Sequence, residues 1–213
     1  MSNILSSMLE TGTKRQLSPG LARILQSIAA IIALGVIYTT TIVYVDLFAM
    51  TIVFLSSMLA LLFLLYTPGP WGRTNAPGIA DWLLSLTSVA AGVYFLVESS
   101  RIVERITLLF PLEMPDLIAG SALFFLTIEA TRRTVGFGLT SVVTIFVLYN
   151  LFGHGLPAGL GFREVGYNHF LDIMMFTSDG LFGVPLRVAA TYAFLFVLFG
   201  TFLSRAGGAD FFF

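Results

Sequence analysis

The chain consists of long apolar stretches separated by short segments that are polar or rich in glycine and proline. From Ile24 to Tyr66 the only charged residue is Asp46. This stretch is about twice the ~20 residues that cross a bilayer as a helix. It therefore predicts two membrane helices, joined by a tight hairpin near Tyr44–Asp46.

The same pattern predicts four further spans. Their apolar cores are, in chain order, Trp82–Val97, Leu117–Ile128, Thr134–Gly153 and Val188–Leu203. Acidic residues stand at the start of the third and fourth spans, and Pro185 falls in the first turn of the sixth, where a helix accepts proline. The sequence therefore predicts an all-α integral membrane protein of about six transmembrane helices.

Two connecting segments and one helix face stand out. Thr67–Gly78 is dense in proline and glycine, which predicts a loop. The segment 155–180 is glycine-rich and then amphipathic, and we expect a loop and a short interfacial helix with Phe170, Ile173, Met174 and Phe176 on its apolar face. In the third span Ser88 and Gly92 are one helical turn apart, a spacing that lets a neighbouring helix approach closely.

Composition agrees with a membrane protein and narrows the functions. The chain is 57% hydrophobic and 11% charged, whereas a soluble domain is about half apolar and about a quarter charged. A net charge of −1 argues against nucleic acid as a partner. The absence of cysteine excludes disulfides and thiol chemistry. The expected partner of most of this surface is the lipid bilayer.

Basic residues favour one orientation in the membrane. With both termini in the cytoplasm, seven basic residues lie on the cytoplasmic side and three on the other, and Arg187 stays within the membrane region. Cytoplasmic segments carry the excess of Lys and Arg, so we expect cytoplasmic termini and a cytoplasmic tail at residues 1–20. The seven are Lys14, Arg15, Arg23, Arg73, Arg132, Arg133 and Arg205; the three are Arg101, Arg105 and Arg163.

No pattern indicates catalysis, a metal or a cofactor. The two histidines, His154 and His169, lack metal-site spacing, and zinc needs three or four protein ligands. His169 and Asp172 are three residues apart, which favours a surface pair on one helix. The chain has no G-x-S-x-G sequence, and Gly159-x-Gly161 lacks the third glycine of a dinucleotide site. We therefore expect no enzymatic activity.

Charges at the membrane edges are the candidates for polar sites. Two sets are interpreted as structural pairs at headgroup level that fix helix depth, Glu98 with Arg101 and Glu129 with Arg132 and Arg133. The third set is Arg187 with Asp179, its nearest acid in the sequence. Arg187 stands just inside an apolar run, where an unpaired charge is costly. For this pair a structural role and a substrate contact are equally plausible.

Parts of the sequence resemble a known transporter family. Thr177–Leu186 (TSDGLFGVPL), followed by Ala189–Gly200 (AATYAFLFVLFG), is similar to the fused permeases of tripartite ATP-independent periplasmic (TRAP) transporters, in the branch with TAXI-type receptors. Shorter matches are EATRRTVG from Glu129, YNLFG from Tyr149 and GGADFF from Gly207. The resemblance covers residues 129–213, whereas residues 1–128 share only the span pattern and the Asp81-Trp82 helix start.

The resemblance implies a bacterial inner-membrane location and two regions. Residues 21–133 would form the small four-helix region, a scaffold, and residues 134–213 the start of the large transport region. In this family a periplasmic solute receptor delivers an organic acid, and an ion gradient, sodium or proton, drives import by an elevator movement.

The chain departs from the family in two ways. It ends, at Phe211–Phe213, before the re-entrant hairpins that bind substrate and ions, so it looks truncated and those sites lie outside it. At position 187 the resemblance predicts a small residue such as glycine, where this chain has arginine.

Two other functions stay open at this stage. One is a self-contained small channel or transporter that acts as an oligomer. The other, less favoured, is a membrane-embedded lipid enzyme, which would need histidines and acids clustered at one membrane face.

Overall fold

The computed structural model describes residues 12–43, 45–69, 75–157 and 161–208. Parts of the predicted tail, the first hairpin, the Thr67–Gly78 loop and the C-terminal end fall outside these ranges. The described helices are α1 (Pro19–Thr41), α2 (Leu47–Leu65), α3 (Ile79–Val97), α4 (Ser99–Glu104), α5 (Met114–Thr134), α6 (Phe137–Phe152), α7 (Tyr167–Met175), α8 (Val184–Val188) and α9 (Phe194–Arg205).

Six helical stretches are long and apolar enough to cross a membrane. They are α1, α2, α3, α5, the run Phe137–Gly155 that contains α6, and the run Val184–Arg205 that joins α8 to α9. The prediction of an all-α membrane protein with about six spans is confirmed.

Acidic residues stabilise the starts of three helices. The Asp46 carboxylate accepts a hydrogen bond from the Ala49 amide at 3.0 Å and caps α2. Asp81 and Asp116 are each the third residue of their helix. Each carboxylate accepts a hydrogen bond from the amide of the residue just before the helix, Gly78 at 2.9 Å for Asp81 and Glu113 at 3.1 Å for Asp116. These carboxylates satisfy amides that have no partner within the helix.

The core of the molecule is the bundle of α2, α3 and α5. Of the spans, α2 is the most buried. Gly92 lets α3 approach α2 closely, because a Cβ atom at this position would lie 2.4 Å from the Ser56 Cβ. Ser88, one turn away, is fully buried. The small-residue spacing in the sequence therefore marks the tightest helix contact of this core.

The segment 167–182 inserts aromatic side chains into this bundle. Phe182 packs between Phe48 and Phe95, with ring centroids 5.2 and 5.6 Å apart, and Phe176 stacks on Phe95 at 5.0 Å. The predicted short helix is α7. Of the predicted apolar residues, Phe170 and Phe176 are buried and Met174 packs against the core, whereas Ile173 is 37% exposed. Leu171 and Met175 are buried as well.

The last span contains an irregularity that the sequence did not indicate. Helix α8 begins at Val184 with Pro185 in its first turn, as predicted. One turn of π-helix, Ala189–Ala193, follows before α9. The Thr191 hydroxyl donates to the Arg187 carbonyl at 2.8 Å, so a side chain satisfies a backbone acceptor next to the wide turn.

The described part of the N-terminal tail is bound to the bundle. The Arg15 amide donates to the Leu65 carbonyl at 2.8 Å, and the Thr67 amide donates to the Thr13 carbonyl at 3.1 Å. The Gly12 amide donates to the Arg133 carbonyl at 2.8 Å. Residues 12–18 therefore lie against the ends of α2 and α5 instead of extending into solvent.

The contact at Gly92 generates a stability prediction. Gly92→Ala should lower the melting temperature of the detergent-solubilised protein, because the added methyl group forces α2 and α3 apart. Gly35→Ala is the matched control, since Gly35 is inside α1 and a Cβ there meets nothing within 4 Å. The control should be neutral or slightly stabilising. Equal melting temperatures for the two variants would contradict the close approach.

Candidate functional site

The first charged cluster surrounds Asp81 at one end of the bundle. Arg15 donates to one carboxylate oxygen at 2.6 Å, and Arg133 donates to the other at 2.7 Å. The side chains of Arg15, Arg133 and Asp81 are only 1%, 3% and 6% exposed. Because one carboxylate stands between two buried guanidinium groups, each charge has a direct counterion.

The cluster extends along the end of α5. Arg133 also donates to Glu129 at 2.8 Å, and Arg132 donates to the same carboxylate through two nitrogens, both at 2.7 Å. The structure thus brings together the predicted set Glu129, Arg132 and Arg133, and it adds Asp81 and Arg15. We call these five residues the Asp81 cluster.

Arg15 joins the cluster to the end of α2. Its guanidinium donates to the carbonyls of Phe63 at 3.0 Å and Leu64 at 3.1 Å. These carbonyls belong to the last turn of α2, where no helical amide follows to satisfy them. The guanidinium of Arg133 lies over the Phe63 ring, 5.0 Å from its centroid. One buried cluster therefore connects the N-terminal segment with α2, α3 and α5.

A second cluster lies at the opposite end of α3 and α5, and we call Tyr94, Glu98, Arg101 and Asp116 the Asp116 cluster. Arg101 donates to the two Asp116 oxygens at 2.6 and 3.2 Å and to Glu98 at 2.6 Å. Tyr94 donates to Asp116 at 2.7 Å. The predicted pair Glu98 and Arg101 is thus in contact, and these hydrogen bonds raise the pKa of Arg101 above its ordinary value.

A third ion pair joins Arg105 to Asp172 of α7. Asp172 also accepts a hydrogen bond from the Leu108 amide at 3.0 Å, and Arg105 donates to the Phe110 carbonyl at 2.6 Å. The predicted surface pair of His169 and Asp172 is wrong, because Asp172 is 3% exposed and faces Arg105 while His169 lies at the surface.

The third predicted pair, Asp179 and Arg187, is not within ion-pair distance in the described part of the chain. Among the described residues, the Arg187 side chain donates only through Nε, to the Phe182 carbonyl at 3.3 Å. Both side chains instead line a cavity of about 600 Å³, together with Asp46. A second cavity, of about 580 Å³, lies between α5, α6 and α7 and is lined mainly by apolar side chains.

These arrangements suit structural roles more than chemical ones. In the described ranges no fully buried side-chain nitrogen or oxygen lacks a hydrogen-bond partner, and no group of three or more histidines and acids has metal-site geometry. The buried charges of the Asp81 and Asp116 clusters have counterions and offer no free base or nucleophile. The cavity of about 600 Å³, which we call the Arg187 cavity, differs, because Arg187 and Asp179 in its lining form no ion pair among the described residues.

Sequence reasoning missed six members of these contacts. The sequence indicates a cytoplasmic tail for Arg15, helix starts for Asp81 and Asp116 and a surface pair for Asp172, it uses Arg105 only for orientation, and it does not single out Tyr94. The available signal was their position, since each lies close to the end of a span or of a short helix. Their partners are up to 67 residues away, and helical periodicity does not report such distant contacts.

Comparison with protein-family models, curated proteins and solved structures found no match for this chain. The fold and the charge clusters alone therefore define the class of protein. The chain is an all-α, multi-pass membrane protein with six candidate spans. At opposite ends of its central bundle lie the buried carboxylates of Asp81 and Asp116, each paired with arginine.

The Asp81 cluster generates a second prediction. Asp81→Asn should lower the free energy of unfolding by roughly 3–5 kcal/mol, because two buried arginines lose their shared counterion. The measurement is thermal unfolding of the detergent-solubilised protein. Glu104→Gln is the control, since Glu104 is exposed and forms no ion pair among the described residues. A melting temperature for Asp81→Asn equal to that of this control would contradict the structural role.

The position of Asp172 generates a third prediction. Asp172→Asn should speed amide hydrogen exchange in residues 161–183, because α7 loses its ion pair with Arg105. His169→Gln should leave exchange unchanged, since His169 is exposed. Equal effects of the two variants would instead favour the surface pair that the sequence suggested.

Proposed function

We propose that this chain is the N-terminal membrane part of a TRAP-type permease and serves mainly as its scaffold. In this proposal residues 21–133 are the small four-helix region and residues 134–213 begin the large transport region. The permease imports an organic acid that a periplasmic solute receptor delivers. A sodium or proton gradient drives import, and the substrate and ion sites lie outside this chain.

The observation that carries the proposal is the uneven packing of the spans. In α2 56% of the spanning window is buried, whereas the figure is 11% for the α6 span, 6% for the last span and also 11% for α1 at the N-terminal edge of the bundle. The α2–α3–α5 bundle forms the main core, into which Leu171, Met175, Phe176 and Phe182 also pack, and the charge clusters lie at its ends. The spans that follow residue 134 leave most of their apolar surface without protein contact, as expected if further helices of a transport region pack on them.

The charge clusters support a scaffold role on physical grounds. An elevator transporter moves one domain against another that stays fixed, and a fixed domain needs helices that do not shift relative to each other. Buried carboxylates at both ends of α3 and α5 oppose sliding, because a shift of one turn would separate Asp81 from Arg133 and Asp116 from Tyr94.

The proposal also assigns an orientation and a location. With both termini in the cytoplasm of a bacterium, the Asp81 cluster lies at the cytoplasmic end of the inner-membrane bundle. Lys14, Arg15, Arg132 and Arg133 then lie on the side where basic residues are enriched. The Asp116 cluster, α7 and the Arg187 cavity face the periplasm, the side from which a receptor would deliver its solute.

Reconstitution tests the proposal directly. Proteoliposomes that contain only this chain should show no flux of sodium, protons or organic acids. Proteoliposomes with the full permease that includes this sequence should accumulate an organic acid when its receptor and an ion gradient are supplied. Ion or solute flux from the chain alone would overturn the scaffold role and favour a self-contained channel or transporter.

A further inference from the structure

The Arg187 cavity contains charges that the protein does not neutralise. It lies between the start of α2, α4 and the segment before the last span, and its charged lining is Asp46, Arg105, Asp179 and Arg187. Arg105 already has Asp172 as its counterion. In the described part of the chain neither terminal nitrogen of Arg187 has a protein acceptor, because only its Nε donates.

The two remaining carboxylates, Asp46 and Asp179, form no ion pair with a described residue. The Asp179 side chain accepts no hydrogen bond in the described residues, although its backbone amide donates to the Thr177 hydroxyl at 3.2 Å. Asp46 accepts from the Ala49 amide through Oδ2, and its Oδ1 has no acceptor role toward another described residue. Because Arg105 is paired with Asp172, the remaining charged groups of the cavity are one guanidinium and two carboxylates.

This combination of charges selects a class of ligand. A simple anion would bind Arg187 but would meet two carboxylates in the same cavity, and a simple cation would meet the guanidinium. A zwitterion satisfies both, because its anionic group accepts from the guanidinium and its ammonium donates to the carboxylates. Arginine matches phosphate geometry through two parallel hydrogen bonds. The volume of about 600 Å³ is typical of small-molecule sites.

The depth of the cavity indicates where such a ligand comes from. Asp46 directly precedes α2, and Arg187 is the fourth residue of the last span, so both lie at the level of lipid headgroups. Phe48, Ile102 and Phe176 give the same cavity apolar walls, which suit the glycerol and the first methylenes of a lipid. A headgroup bound here would also provide the counterion that Arg187 lacks.

We propose that the Arg187 cavity binds a phosphoethanolamine group, with the phosphate on Arg187 and the primary ammonium between Asp46 and Asp179. The group has two possible sources, the headgroup of phosphatidylethanolamine and a soluble compound with the same two charges. The proposal rests on the cavity alone and is independent of the transport function proposed above.

Native mass spectrometry of the full chain tests the proposal. The protein is released from detergent in the presence of equal amounts of phosphatidylethanolamine, phosphatidylcholine and phosphatidylglycerol. Wild type should retain phosphatidylethanolamine on the order of tenfold more than the other two, because the choline nitrogen cannot donate hydrogen bonds and phosphatidylglycerol has no cation. Equal retention of the three lipids would overturn the proposal.

Three variants assign the contacts. Arg187→Gln should abolish the preferential retention, and Asp179→Asn should reduce the preference for ethanolamine over choline while some phosphate binding persists. Arg205→Gln is the matched control, because Arg205 is an exposed arginine at the other end of the same span. Unchanged preference in both cavity variants would contradict the assignment. Asp179 is exposed, so its variant stays informative if Arg187→Gln does not fold.

A competition arm distinguishes the two sources. If the apolar walls of the cavity contact the acyl chains, soluble glycerophosphoethanolamine added in excess should leave the lipid bound. This result identifies a membrane lipid as the ligand. Displacement of the lipid by the soluble compound, with the same dependence on Arg187, supports the phosphoethanolamine site and identifies a soluble source.

Discussion

Asp81 is an ionised side chain buried at the end of an apolar bundle, and the surrounding structure is arranged around its charge. An isolated carboxylate in such a place would be strongly unfavourable, whereas one with two guanidinium partners is stable. Arg133 reaches it from the end of α5, and Arg15 reaches it from the N-terminal segment. The same arginines satisfy carbonyls at the end of α2, so one charge determines how four parts of the chain meet.

The opposite end of the bundle follows the same physical rule with different residues. Asp116 forms an ion pair with Arg101 and accepts a hydrogen bond from Tyr94. Asp172 forms an ion pair with Arg105, which connects α7 and the aromatic segment after it to the bundle. Between the two ends α3 and α5 run for roughly 25 Å, at 1.5 Å per residue, through apolar packing. Lipid gives little hydrophobic drive for one helix pairing over another, so polar contacts and small residues specify the arrangement.

The last two spans contrast with this bundle, and this contrast is the basis of the proposed scaffold function. They are long and apolar, yet they bury little surface against the rest of the chain. A scaffold that receives further helices would have this form. Arg187 belongs to the same part of the molecule, and among the described residues its side chain has one hydrogen-bond acceptor, the Phe182 carbonyl. The bundle thus has charge-paired ends, whereas the last two spans have few protein contacts.

The candidate polar residues illustrate the limits of local inference. Glu98 with Arg101 and Glu129 with Arg132 and Arg133 are three or four residues apart, and helical geometry alone brings such neighbours together. The remaining partners, Arg15, Asp81 and Asp116, come from other segments. Asp179 and Arg187 are close in sequence, but the turn between them and the start of α8 direct both side chains into a cavity instead of toward each other.

The sequence by itself determined the helical class, the number of spans, their approximate limits and the close contact at Gly92. These features depend on local signals: the length of apolar runs, proline and acidic residues at helix starts, and the spacing of small residues. Only the tertiary structure decided which charges are buried, which partners they have, and which face of α7 turns inward. Those outcomes depend on contacts between residues far apart in the chain, where the low-dielectric interior makes the choice of counterion decisive.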